Sequence, residues 1–341
     1  MKIFILKPSS LGDIAQALPV LRLLKLHIPQ SQIYWWVDTR FSSILKGDKD
    51  LDGVIYFDRY HWASPYYWGE VARSIMNVRK ERFDLVIDLQ GLLRSGAFAW
   101  IANGELLIGV DEPREGANGF YDIVVQRPSY YTHAVDWYLE VLKTLSIPVH
   151  FNFDWLPIRA KIANSVKEKW IADSRYVVIC PGGRWKTKRW FDENYISLAK
   201  QLADEDKDIK FVIIGVNECF EVGEKIREVI KDRCINLAGK TTIPEMIEVI
   251  RFSQYVISND TGPMHIAAAL KKPTVAIFGP TEPKRTGPYG FLQGVLQASL
   301  PCVPCFKRKC KNPNQLECLR LVTTNMVVEK IHQLKSAGFI R

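Results

Sequence analysis

The sequence predicts an α/β protein built from two doubly wound parallel sheets. Three observations carry that prediction. Short apolar runs rich in β-branched residues alternate with helical periodicities, a pattern that builds parallel sheets with helices on both faces. The alternation stops at 149–159, within SIPVHFNFDWLPIRA, where two prolines interrupt it, and then restarts. The 341 residues are many for one core but suit two of ordinary size.

Taken in order, strands are expected at 2–7, 32–37, 53–57, 85–89, 106–110 and 122–125, with helices at 71–79 and 133–145. After the linker, strands are expected at 176–180, 210–215, 255–258 and 274–278, with helices at 193–204, 220–231, 244–252 and 263–270. This gives a first domain at 1–155, a second at 156–322, and a closing helix within 323–341 expected to pack back on the first domain. Two such halves create a cleft. Ligands of doubly wound sheets bind beyond the carboxyl ends of the strands, where turns lead into helix N-termini.

A hydrophobic content of 47% with 24% charged residues describes a folded soluble chain. No run approaches the roughly 20 apolar residues of a membrane helix, and the start MKIFILKPSSLGDI has no cleavage site, so a cytoplasmic protein is expected. The net charge of +9 suits a nucleotide, a nucleic acid or an anionic membrane surface, and equally a solvated surface. No helix-turn-helix, RNA-recognition signature or zinc-finger spacing supports the nucleic acid. Three of the seven cysteines, Cys180, Cys219 and Cys234, are scattered. Cys302, Cys305, Cys310 and Cys318 cluster at spacings that match no standard zinc pattern, which leaves a structural metal and a thiol-rich loop as alternatives.

Four stretches fall at strand ends. In KPSSLGDI, Asp13 is either a helix cap or a general base. Pro19 either kinks the following helix or lies in a first turn that begins near Ala15, leaving Asp13 in the preceding turn. In SNDTGPMH, Asp260, Thr261 and Gly262 precede Pro263 at a first helical position, with His265 one turn on. That is an anion site or an ordinary capped helix. CPGGRWKTKRW gathers cations, Lys188 among them, around Gly182-Gly183, as a diphosphate site or a wet basic loop. IIGVNECFE places Glu218 at a turn, where a carboxylate could hold ribose hydroxyls. No GxGxxG follows the first strand, so a dinucleotide oxidoreductase lacks its fingerprint.

Together, KPSSLGDIAQALPVLRLLK, DLVIDLQGLLRSG, PGGRWKTKRW and SNDTGPMHIAAAL…TVAIFGPTEP resemble the ADP-heptose:lipopolysaccharide heptosyltransferases, in the same order and over nearly the whole chain. KPSSLGD, DLQGLLRSG and HAV at 133–135 look most like the heptosyltransferase I branch, which adds the first heptose to Kdo on lipid A. The resemblance implies a GT-B fold, two Rossmann-like domains facing a central cleft. It implies an acceptor held by the first domain, ADP-heptose held by the second, and an inverting transfer that needs no cofactor or catalytic metal. It assigns Asp13 as base and Lys188 as the group that neutralises the departing diphosphate. Donor contacts fall to Gly183, Thr187, Lys188, Glu218, Asp260, Thr261, Gly262 and His265, and acceptor contacts to Ser10, Gly12, Arg59, Arg114 and His133. The expected partner is a Kdo-lipid A acceptor, met by a monomer peripheral to the cytoplasmic face of the inner membrane. The aromatic stretch YFDRYHWASPYYWGEVAR is a surface for that membrane or a packed loop and helix. A heptosyltransferase II-like enzyme, or another GT-B nucleotide-sugar transferase, is the alternative. A GT-B epimerase would need two acid/base groups, and only Asp13 is evident.

Overall fold

The computed structural model describes residues 1–340 apart from 59, 62, 63 and 173. The chain divides into two compact units, Met1–Pro157 and Ile158–Arg341. The division falls inside the expected linker.

In the first unit six parallel strands lie in the order β3-β2-β1-β4-β5-β6. They are β1 Lys2–Leu6, β2 Gln32–Asp38, β3 Gly53–Phe57, β4 Leu85–Asp88, β5 Leu106–Val110 and β6 Ile123–Val125. The helices are α1 Leu11–His27, α2 Trp68–Lys80, α3 Leu93–Ala102 and α4 Ala134–Thr144. Runs such as KIFIL and LVID are apolar on both faces because helices cover both sides of a parallel sheet. Ile3, Phe4, Ile5 and Leu6 are accordingly buried. On one face Phe4 stacks on Phe83 at 4.7 Å and Trp36 on Phe98 at 4.4 Å, rings that offer large apolar area in defined geometry. Helix α3 has no counterpart in the expected elements. Its run LRSGAFAWIA mixes small residues with exposed Leu93 and Trp100 and has little polar face, so it carries no clear amphipathic period. Those small residues allow a close approach: a β carbon on Gly96 would meet Phe120 at 3.0 Å and Ala117 at 3.1 Å.

Helix α1 starts at Leu11 and runs through Pro19, so of the two alternatives the first turn beginning near Ala15 does not hold. The turn at Ser10 and Asp13 fixes the start, and burial of residues from Ile14 to Leu24 holds the interior against the hydrogen bond that proline removes. On the same helix the buried Arg22 binds Asp48 through both terminal nitrogens, binds Asp50 at 2.6 Å, and donates to the Trp155 carbonyl at 3.0 and 3.2 Å. The segment before the unit boundary is thereby tied to α1.

The second unit repeats the scheme with strand order β12-β11-β10-β7-β8-β9, again all parallel. Its strands are β7 Tyr176–Cys180, β8 Lys210–Ile213, β9 Cys234–Asn236, β10 Val256–Asn259, β11 Thr274–Phe278 and β12 Val295–Gln297. Its helices are α5 Ala160–Val166, α6 Asp192–Glu205, α7 Phe220–Ile230, α8 Ile243–Phe252, α9 Gly262–Ala269, α10 Pro283–Thr286, α11 Glu317–Arg320 and α12 Thr324–Ser336. The edge strands β9 and β12 were not expected; three residues each are too few to show a period. Val327, Val328, Ile331 and Leu334 of α12 belong to the core of this second unit.

Truncating Arg22 would leave the buried Asp48 carboxylate uncompensated. Arg22→Ala is expected to lower unfolding free energy by about 3–5 kcal/mol, read from urea denaturation of the whole chain.

Candidate active site

The strand order reverses once in each sheet, between β1 and β4 in the first unit and between β7 and β10 in the second. Loops leaving the two strands at such a point diverge, one to each face, and open a space at their carboxyl ends. The four loops concerned are KPSSLGD after β1, DLQGLLRSG at the end of β4, PGGRWKTKR after β7 and NDTG at the end of β10.

In the first unit Asp13 is the third residue of α1, and its Oδ2 accepts from the Ser10 N–H and the Ser10 hydroxyl, both at 2.7 Å. The carboxylate thus reaches back to the N-cap, as in a capping box. Gly12 is buried in the same turn. Behind it lies Lys7, a residue the sequence reading passed over although it stands in the same motif. Its ammonium is buried, donates to the Leu89 carbonyl at 2.8 Å and sits 4.5 Å from the Tyr138 ring centroid. Burial pushes the Lys7 pKa down, but Tyr138, Asp13 and Asp88 more than offset it and hold the ammonium above its ordinary value. A fixed positive charge therefore acts on the Asp13 carboxylate from within the fold.

Arg114 also feels the charge of Asp13, and its Nε donates to Glu112 at 2.7 Å, the bond that chiefly raises its pKa. His133 is buried at the N-cap of α4, where its Nδ1 accepts from the Val135 N–H at 3.2 Å. That bond places the proton of a neutral ring on Nε2. Arg59 lies outside the described residues. At the end of β4 the buried Asp88 accepts from Tyr121 at 2.8 Å and from the Gln90 and Gly91 N–H groups at 2.8 and 3.2 Å. Gly91 turns at φ +69°, where a β carbon would also meet the Val110 carbonyl at 2.9 Å.

In the second unit Lys188 and Asp260 meet. The ammonium lies 2.6 Å from Asp260 Oδ2, which also accepts from the Thr281 hydroxyl at 2.6 Å. Trp185 lies under the same ammonium, 4.9 Å from its ring centroid. Thr261 is the N-cap of α9, but its hydroxyl faces Ser258, Cys180 and the Asn259 carbonyl and makes no capping bond. The next residues, Gly262 and Pro263, open the helix, and His265 follows in its first turn. Asn259, also passed over, joins the loops: its amide donates to the Pro181 and Gly182 carbonyls, and its oxygen accepts from Trp190 N–H and Tyr195. Gly183 is held through its carbonyl by Arg189.

Two expected donor residues stand apart. The Thr187 hydroxyl donates to the Lys307 carbonyl at 3.0 Å and so anchors the turn to the cysteine-bearing segment. Glu218 is exposed in the turn before α7, and among the described residues no hydrogen bond or ion pair joins it to Lys188 or Asp260. Cys302, Cys305, Cys310 and Cys318 are free thiols lining one cavity of about 460 Å³. Burial and then the other three thiols raise the pKa of Cys318. Among the described residues no group of three His, Cys, Asp or Glu side chains is placed to hold a metal ion.

Two doubly wound units, each with its polar loops gathered at a strand-order reversal, define a GT-B protein. The family model for glycosyltransferase family 9 (heptosyltransferase) matches residues 71–316, and the chain belongs to that family. It is similar to lipopolysaccharide heptosyltransferase 1 of Pseudomonas aeruginosa, 28% identical over 319 residues, which is 91% of this chain and 87% of that one. Lipooligosaccharide heptosyltransferase 2 of Campylobacter jejuni is 26% identical over 341 residues, 98% of this chain and 100% of the relative. Among solved structures, E. coli heptosyltransferase WaaC with ADP-2-deoxy-2-fluoro heptose is 27% identical with a TM-score of 0.78, covering 98% of this chain and 99% of that one.

Burial is the largest influence on Asp88 and raises its pKa above 3.8 despite the bonds it accepts. An acid raised on folding binds more protons folded than unfolded. Its contribution to stability is therefore full at low pH and is lost as pH rises through the folded value. Asp88→Asn is expected to flatten that loss, seen as a urea midpoint that changes less with pH from about pH 4 upward.

Proposed function

We propose that this glycosyltransferase moves heptose from ADP-heptose to a Kdo residue of lipid A, with inversion at the anomeric carbon. The observation that carries the reading is the Lys188–Asp260 contact beside the N-terminus of α9. An ammonium fixed by one buried carboxylate keeps donors to spare for a diphosphate, and the first-turn N–H groups of a helix add to the same field. The acceptor hydroxyl attacks the anomeric carbon as the bond from that carbon to the diphosphate oxygen breaks. The hydroxyl proton passes to Asp13. The electron pair leaves on ADP, where Lys188 and the helix N–H groups stabilise it. ADP is a fair leaving group, so one carboxylate suffices, unlike glycoside hydrolysis with its second carboxyl.

In this reading Gly183, Thr261, Gly262 and His265 shape the donor site, and Thr187 acts by holding the Lys188 turn in place. Ser10 and Gly12 set the Asp13 carboxylate, while Arg114 and His133 face the acid groups of the acceptor. The acceptor is lipid-borne, and Tyr66 and Trp68, 87% and 63% exposed, suit work at the cytoplasmic membrane surface. Among the described residues no helix is long and apolar enough to cross a membrane. The likeness to the Campylobacter jejuni lipooligosaccharide heptosyltransferase 2, over 98% of this chain, favours one second reading, a heptosyltransferase 2-like enzyme with a different acceptor.

Asp13→Asn is expected to cut transfer by about 10²–10⁴-fold while ADP-heptose affinity, measured by calorimetry, stays as in the native enzyme. Transfer that survives unchanged would make Asp13 a cap alone. Lys188→Met is expected to lower kcat, read in single-turnover assays, because it removes charge that counts most as the diphosphate departs.

A further inference from the structure

The cysteine-bearing segment 302–318 enters the reading above only as the anchor of Thr187. Its stretch FKR at 306–308 is nevertheless fastened to the loops of both partners in the Lys188–Asp260 contact. The Phe306 N–H donates to the Pro280 carbonyl at 2.8 Å, one residue before Thr281, whose hydroxyl binds Asp260. The Lys307 carbonyl accepts from the Thr187 hydroxyl at 3.0 Å, one residue before Lys188. Two backbone groups of neighbouring residues therefore fix where Arg308, the next residue, leaves the chain.

The Arg308 guanidinium lies over the Trp185 ring, 5.2 Å from its centroid. The same ring carries the Lys188 ammonium at 4.9 Å. The two charges thus stand no further apart than about 10 Å, the Debye length near ~0.1 M salt, and each is held against the other's repulsion. They are unevenly committed. Lys188 is paired with Asp260 at 2.6 Å. Arg308 is exposed and, among the described residues, makes no hydrogen bond or ion pair. Contact with a ring uses none of a guanidinium's N–H donors, so its whole fork is available. Two cations gathered on one indole, one of them unspent, make a site that a bound anion would relieve.

We infer that Arg308 is a second cation of the donor site: positioned by Trp185, it binds the diphosphate of the nucleotide-sugar together with Lys188. The inference rests on the proposed function, whose leaving group it stabilises. The bond from the anomeric carbon to the diphosphate oxygen breaks, its electron pair stays on that oxygen, and Arg308 shares the resulting charge without moving a proton. The cysteine-bearing segment thereby gains a task, presenting a cation to the donor, and Trp185 becomes a positioning residue.

The test compares binding of ADP with that of adenosine, which lacks the phosphates, by NMR titration of the native chain, Arg308→Gln and Arg308→Lys. Thermal melting and single-turnover transfer from ADP-heptose to Kdo-lipid A are measured on the same samples. Arg308→Gln is expected to weaken ADP binding about tenfold or more and to slow transfer, with adenosine affinity and melting as in the native chain. Arg308→Lys keeps the charge but loses the fork, and should fall between the two. Unchanged ADP affinity in Arg308→Gln would overturn the inference. So would equal weakening of ADP and adenosine, or a fall in melting that accounts for the weaker binding. Native transfer combined with unchanged ADP affinity in Arg308→Gln would sink the inference and leave the proposed function standing. Weakened ADP binding in Arg308→Gln, with no transfer to Kdo-lipid A by the native chain, would do the reverse.

Discussion

Each sheet reverses its strand order once, and nearly every polar feature of interest hangs from those two places. A parallel strand at a reversal has its neighbours' loops leaving to opposite faces, so its carboxyl end cannot be covered by the fold itself. Backbone and side-chain polar groups there must be satisfied by one another or by a ligand. In the first unit Ser10 satisfies Asp13, Asp88 satisfies the Gln90–Gly91 turn, and Lys7 supplies a buried positive charge that both aspartates feel. In the second, Asn259 ties the glycine loop to β10, and Asp260 holds Lys188.

The two reversals are built differently, and the difference follows the chemistry assigned to each. The second unit offers cations, glycines and a helix N-terminus, all of which favour negative charge. The first offers a carboxylate backed by a fixed ammonium, where a base needs to be anionic and held in one orientation. Lys7 cannot leave, because its ammonium is buried between the Leu89 carbonyl and the Tyr138 ring. The question of whether Asp13 caps a helix or acts as a base thus has no single structural answer. It reaches back to Ser10, as a cap partner does, and that contact is also what would aim a base.

Much of this was legible from residue order alone. The ten expected strands all have counterparts, because parallel strands buried on both faces announce themselves as apolar runs such as YVVIC and TVAIF. What was not legible is physically distinct. Strands β9 and β12 are too short to carry a period, and α3 is held by close approach of small residues rather than by an apolar stripe. The start of α1 stayed open between two alternatives because the local cost of Pro19 cannot be set against burial of the helix until its packing is known. Lys188 and Asp260 stand 72 positions apart, and only the β7–β10 pairing brings them together.

In the proposed mechanism a carboxylate of the first unit takes a proton and a cation of the second holds a departing diphosphate. A single displacement with one base inverts the anomeric carbon, whereas any route through a covalent sugar intermediate retains it. The most direct measurement is the anomeric configuration of the product formed from ADP-heptose and Kdo-lipid A, read by NMR. The account predicts one heptose added to Kdo with inversion; retention of configuration, or no transfer to Kdo while ADP-heptose is bound, would contradict it.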